Sequence, residues 1–159
     1  MDAHARQTLA RLMRTQRIAA LGTIRDTAPL VSMVPYVAAA DLAVVYIRVS
    51  RLAQHTQALR QDGRVGLLIV EPDTGQKDPQ TLARVSIRGD ATEVPSTAGD
   101  YAAAKAAYLE KFPRSAVTFR LGDFSLYSIS LREARYVGGF GQIVDLTAED
   151  FRHLASVTT

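Results

Sequence analysis

The chain has no cysteine. That excludes disulfides, thiolate metal sites and cysteine nucleophiles. Histidine is scarce: His4, His55 and His153 stand far apart, and no two share the spacing of metal ligands. Charge of one sign is also scarce. Nineteen Lys and Arg face sixteen Asp and Glu, a net charge of +3. A nucleic-acid binder would cluster basic residues on one face, interleaved with aromatics, and this chain does neither clearly. No apolar run reaches the 18 residues of a transmembrane helix. The opening "MDAHARQTLARLMRTQR" is charged throughout and lacks the apolar centre of a secretory signal. The expectation is a cytoplasmic protein with no membrane or nucleic-acid partner.

What is present suits one domain, residues 1–159, with 47% apolar residues. Residues 2–16 read as a helix with Ala5, Leu9, Leu12 and Met13 on one face. Apolar runs at 17–24, 29–37 and 42–49 read as strands, the first two joined by a hairpin-length turn around Asp26 and Pro29. Ser50 is placed to cap a helix through Leu52 and Leu59 that Gly63 closes. "RVGLLIVE" (64–71) reads as a strand buried on both faces, and 84–94 as an alternating strand. A helix beginning at Ser96 carries Tyr101, Ala104, Tyr108 and Phe112. A long strand follows over 124–139. Thr147 and Asp150, at capping-box spacing, start a short helix ending near 155. Six strands in hairpin order are antiparallel neighbours, so the expected fold is an α+β domain with a six-stranded antiparallel barrel over about 17–141.

The junction "VSRLAQHTQ" (49–57) carries the most chemistry. A helix N-terminus offers free N–H donors and partial positive charge, and phosphate binds there readily. Arg51 adds a planar fork of donors. Arg48, Arg60 and Arg64 make the neighbourhood positive. His55, four residues after Arg51, shares its helical face. Two readings stay open, an ordinary cap with solvated arginines and an anion site. "YVGGFG" (136–141) lacks the spacing of a nucleotide loop and reads as a flexible turn, with Phe140 free to pack on a ligand or a partner. Ser32, Ser50, Ser86 and Ser125 sit in no nucleophile elbow. Chemistry here would come from a cofactor, and no catalytic side chain or metal ligand is identified.

Several stretches in order resemble one family: "ALGTI" with "PLVSMVPYV", "VSRLAQHTQAL" with "DGRVGLLIVE", "DPQTLARVSIRGDA", and "GDFSLYSISLREARYVGGFGQ". Together they resemble the pyridoxamine 5′-phosphate oxidase-like, FMN-binding split barrels, and within them the haem-utilisation (HugZ-like) branch. The resemblance implies a homodimer with cofactor sites at the subunit interface, and an FMN-dependent oxidoreductase acting on a small substrate. It implies a flavin ring along Val34, Pro35 and Tyr36, and a phosphate held by Ser50, Arg51, His55 and Thr56. Arg84 and Ser86 would lie near the same pocket. Haem binding or breakdown is the alternative, and a non-catalytic cofactor-binding dimer is the second. Ala58 stands where the branch usually has asparagine, two residues after "HT". Longer members carry a haem-ligating tail histidine, and nothing makes His153 its equivalent.

Overall fold

The computed structural model describes residues 1–139 and 141–155. Helix α1 (Ala3–Thr15) opens the chain, and the Asp2 carboxylate accepts the Ala5 N–H at 2.7 Å to cap it. Its buried side chains, among them Leu9, Leu12 and Met13, sit in the main core. Strand β1 (Ile18–Arg25) turns back into β2 (Ala28–Ala38) through Asp26 and Thr27, whose φ values are 49° and 68°. Two successive positive φ angles give the turn whose twist matches an antiparallel hairpin, and Arg25 pairs directly with Ala28.

Strand β3 (Val44–Ser50) leads to α2 (Gln54–Gln61), then β4 (Arg64–Val70) and β5 (Arg84–Glu93). Helix α3 (Tyr101–Lys111) and the single turn α4 (Ala116–Phe119) precede β6 (Phe124–Val137), β7 (Ile143–Thr147) and α5 (Ala148–Leu154). The strand order is β3-β2-β1-β4-β5-β6, and β3 pairs with β6 to close the ring. All pairings are antiparallel. Closure leaves neither β3 nor β6 as a free sheet edge, and β7, which pairs only with β6, is the edge strand outside the ring. The fold is the expected α+β antiparallel barrel. The first half of β6 pairs with β3, and its last residues, Glu133 to Val137, pair with β7 on the outside of the ring.

Alternation sorts the side chains. Ala19 and Leu21 of β1, Val34 and Tyr36 of β2, Val45, Ile47 and Val49 of β3, and Val65, Leu67 and Ile69 of β4 face the core. Leu68 is exposed, so β4 is not buried on both faces as its apolar composition predicts; no element among the described residues covers its outer side. β5 bends at a bulge between Arg88 and Gly89, where a side chain on Gly89 would meet the Ser130 carbonyl at 2.5 Å.

Boundaries moved in four places. Ser50 does not cap α2: β3 runs through Ser50, residues 51–53 turn, and Ala53 occupies the cap without a side-chain oxygen. Gly63 follows the cap residue Asp62 but has no left-handed φ; it admits the Ala91 carbonyl, which a Cβ there would meet at 2.8 Å. α3 begins at Tyr101 and not at Ser96, because Ala98 and Tyr101 first form turn bonds back to Pro95 and Ala98. β7 is a seventh strand the pattern reading lacked. The Thr147–Asp150 capping box is formed as expected.

Candidate cofactor site

The β3–α2 junction divides its predicted residues between structure and surface. Thr56 is 0% exposed, and its hydroxyl donates to the Ser50 carbonyl at 2.5 Å. The Ser50 hydroxyl accepts the Leu52 N–H at 3.3 Å. Both groups are spent on shaping the turn. Arg51 is exposed, its Nε donates to the Ser125 hydroxyl at 3.1 Å, and Ser125 donates to Glu93 at 2.7 Å. A carboxylate on β5 thus steers an arginine after β3 through a serine on β6. His55 is half-buried, and burial holds its imidazole below the ordinary histidine value. It is therefore a neutral donor or acceptor near pH 7. Burial pushes the Tyr127 hydroxyl up, Glu93 adds to this, and a hydrogen bond from Arg60 with the charge of Arg51 opposes it.

Arg48 was noted in the sequence only as nearby charge. It is 8% exposed. Its guanidinium lies 3.9 Å from the Phe119 ring centroid and 4.6 Å from that of Phe124, and donates to the Thr118 hydroxyl and carbonyl. Burial lowers its pKa, and no carboxylate forms an ion pair with it among the described residues. A local signal existed: a single arginine inside the apolar run "VVYIRVS". Glu93 and Ser125 had no such signal, because only strand register brings them to Arg51.

Val34 and Tyr36 point into the core, and the Tyr36 hydroxyl donates to the Met13 carbonyl at 3.0 Å. Their side chains are therefore closed to a ring lying outside β2; alternation leaves Pro35 on the outer side. Arg84 and Ser86 are not gathered with Arg51 in one chain. Ser50 pairs with Phe124 at the start of β6, whereas Ser86 pairs with Arg135, eleven residues further along it. At about 3.3 Å per residue this separates them by roughly 35 Å of strand. The Arg84 guanidinium donates to the carbonyls of Gln80 and Leu82, each at 3.0 Å. Phe140 lies outside the described residues. His153 sits on α5 and contacts Glu149 at 3.5 Å.

Sequence reading missed the outer face of β1, β2 and β4. Ile18 is 54% exposed, Val31 71%, Met33 64% and Leu68 39%. Pairing of Ala20 with both Met33 and Leu68 makes them one continuous surface, and a groove of about 430 Å3 runs over it. Beyond it, β5, β6 and β7 carry alternating charges, with Arg88 bonded to Glu133 and Arg135 to Asp145. No described helix is long and apolar enough to cross a membrane.

A closed six-stranded antiparallel ring, one of whose strands leaves it to pair outside, defines a split barrel of the pyridoxamine 5′-phosphate oxidase-like class. Residues 2–153 match the family described as "CREG, beta-barrel", and the chain belongs to that family. It is 37% identical over 113 residues to "Non-canonical heme oxygenase HOZ, chloroplastic" of Arabidopsis thaliana, covering 70% of this chain and 32% of that protein. A "heme binding protein from Mycobacterium smegmatis" superposes with a TM-score of 0.82 at 27% identity, over 96% of this chain and 61% of that one. HutZ of Vibrio cholerae, at 20% identity and a TM-score of 0.71 over 79% of this chain and 88% of that one, shares the fold. The chain thus spans about a third of the plant protein and about three fifths of the mycobacterial one.

Proposed function

We propose that the chain acts as a homodimer that holds a planar, anionic redox cofactor at the subunit interface, haem in the first reading and FMN in the second. The observation that carries this is the outer face of β1, β2 and β4: a continuous apolar surface that the described residues leave uncovered. Contiguous patches of this kind mark ligand or protein interfaces. The plant relative's name and the mycobacterial protein's name both support haem.

The residues present fit the two ends of such a group. The apolar face suits the hydrocarbon of a tetrapyrrole or a flavin ring. Arg51, with half-buried His55 in the helix that follows, suits a propionate or a phosphate. Met33 and His55 are the donors these surfaces offer to an iron. Bound, either group would supply the electron chemistry that the side chains lack. FMN stays as the second reading because the sequence around the Ser50–Arg51 turn resembles that of flavin-binding split barrels.

Titration of the purified protein with haemin, and separately with FMN, tests this. A saturable Soret band supports haem; a bound flavin spectrum with quenched fluorescence supports FMN. Uptake of neither group would refute both readings and leave a non-catalytic dimer.

A further inference from the structure

Arg51 reaches the surface after β3, yet it is held twice to the start of β6. Its backbone N–H donates to the Asp123 carbonyl at 2.8 Å. Its Nε donates to the Ser125 hydroxyl at 3.1 Å, and that hydroxyl donates its one hydrogen to Glu93 at 2.7 Å. An ionised carboxylate only accepts, so the serine O–H is committed to it and the serine oxygen is left to accept from the arginine. Ser125 is 4% exposed, whereas Arg51 and Glu93 are exposed. One buried hydroxyl therefore joins two surface charges.

The serine does what a direct ion pair would not. A carboxylate placed on a guanidinium takes two of its donors in parallel and neutralises it. Glu93 and Arg51 form no such pair among the described residues. With Ser125 between them only Nε is engaged, and Nη1 and Nη2 donate to no described residue. They remain a planar pair of donors that matches two oxygens of an oxyanion. An arginine held by nothing samples many rotamers, and ordering it on binding costs affinity. Held at Nε and at its backbone, this one has the plane of its guanidinium set before a ligand arrives.

We propose that Ser125 and Glu93 are positioning residues for the anionic end of the cofactor. Both act through Arg51 and neither touches the ligand. The proposal rests on the cofactor reading above, which gives Arg51 the anion, and adds the two residues that set the direction of its fork. The chemistry they serve is that of an oxyanion, a haem propionate or a flavin phosphate.

Two ligand pairs test it, haemin with its dimethyl ester and FMN with riboflavin, because each pair shares a ring and differs in an anion. Each is titrated into the full chain as wild type, Ser125→Ala and Glu93→Gln. Both partners of Ser125 are exposed, so its loss leaves no buried group unpaired, and circular dichroism checks that the fold is kept. The expected result is that Ser125→Ala weakens the anionic ligand about three- to tenfold and leaves its neutral counterpart unchanged. Glu93→Gln, whose side-chain carbonyl still accepts the serine O–H, binds the anionic ligand at least as tightly as the wild type. A loss with haemin alone assigns the anion to a propionate, and a loss with FMN alone assigns it to the phosphate. Equal affinity of the wild type and Ser125→Ala for the anionic ligand overturns the proposal and leaves the cofactor reading standing. An equal loss for anionic and neutral ligands also overturns it, because a merely structural serine would act on both. Uptake of neither haemin nor FMN by the wild type overturns the cofactor reading and this proposal with it.

Discussion

The ammonium of Lys111 lies 4.3 Å from the centroid of the Tyr36 ring, and the two residues together close the C-terminus of α1. Tyr36 donates to the Met13 carbonyl at 3.0 Å, and Lys111 donates to the Gln16 carbonyl at 2.5 Å. The last carbonyls of a helix have no partner within it and carry partial negative charge, so a hydroxyl and a cation there are both favourable. Tyr36→Phe removes one buried bond and leaves a carbonyl short of its donor. The expected cost is about 1 kcal/mol, read as a lower midpoint in urea with an unchanged slope.

Lys111 also gives stability a pH dependence. Burial first, and the charge of Arg17 second, lower its pKa from the ordinary 10.5 to about 8. Below pH 8 both folded and unfolded chains carry the proton, and the cost of charging this buried amine is felt in full. Between about 8 and 10.5 the unfolded chain binds more protons than the folded one, so stability rises with pH across that window. Burial raises the Tyr36 pKa, which opposes the trend once unfolded tyrosines ionise near 10. Chemical denaturation at pH 7.5 and about 9.5 should therefore show a gain in the wild type that Lys111→Met flattens.

Two glycines on β5 and β1, the strands either side of β4, should respond differently to the same substitution. A Cβ on Gly89 would lie 2.5 Å from the Ser130 carbonyl and 3.1 Å from an Ile129 methyl, both in packed sheet. Gly89→Ala should cost on the order of 1–3 kcal/mol through forced backbone movement. On Gly22 the nearest atom is the Gly66 carbonyl at 3.6 Å, an ordinary contact. Gly22→Ala should leave the thermal midpoint of the barrel near that of the wild type.

The outer face offers a direct test of assembly. Met33 and Leu68 are both exposed in the single chain, so Met33→Asp with Leu68→Asp should change barrel stability by about 0.5 kcal/mol or less per site. A dimer using that face would bury the new carboxylates without partners. Sedimentation should show the wild type as a dimer and the double variant as a monomer with the same circular dichroism. A monomeric wild type would refute the assembly.

Much of the architecture was legible along the chain because it is written in local terms. The alternation in 84–94, the turn at Asp26, the α1 stripe and the Thr147 capping box each follow from neighbours a few residues apart. β7 escaped because it is five residues long and its pairing with β6 is what makes it a strand. Ser50 was misread as a cap because a serine before a helical stretch looks the same whether it is the last residue of a strand or the first cap position.

The candidate site divides along the same line. By itself the sequence determined that positive charge gathers after the third strand, that there is no cysteine and no histidine pair at metal-ligand spacing, and that β4 is apolar at positions on both faces. Only the tertiary structure decided which of those groups are free to act. Thr56 and Ser50 are consumed in a turn, Tyr36 is folded inward onto α1, and Arg84 is carried to the far end of β6. Arg51, Ser125 and Glu93 are brought together across 32 and 74 residues of chain. Register between strands fixes such meetings, and register depends on the whole closed ring, so no local pattern records it.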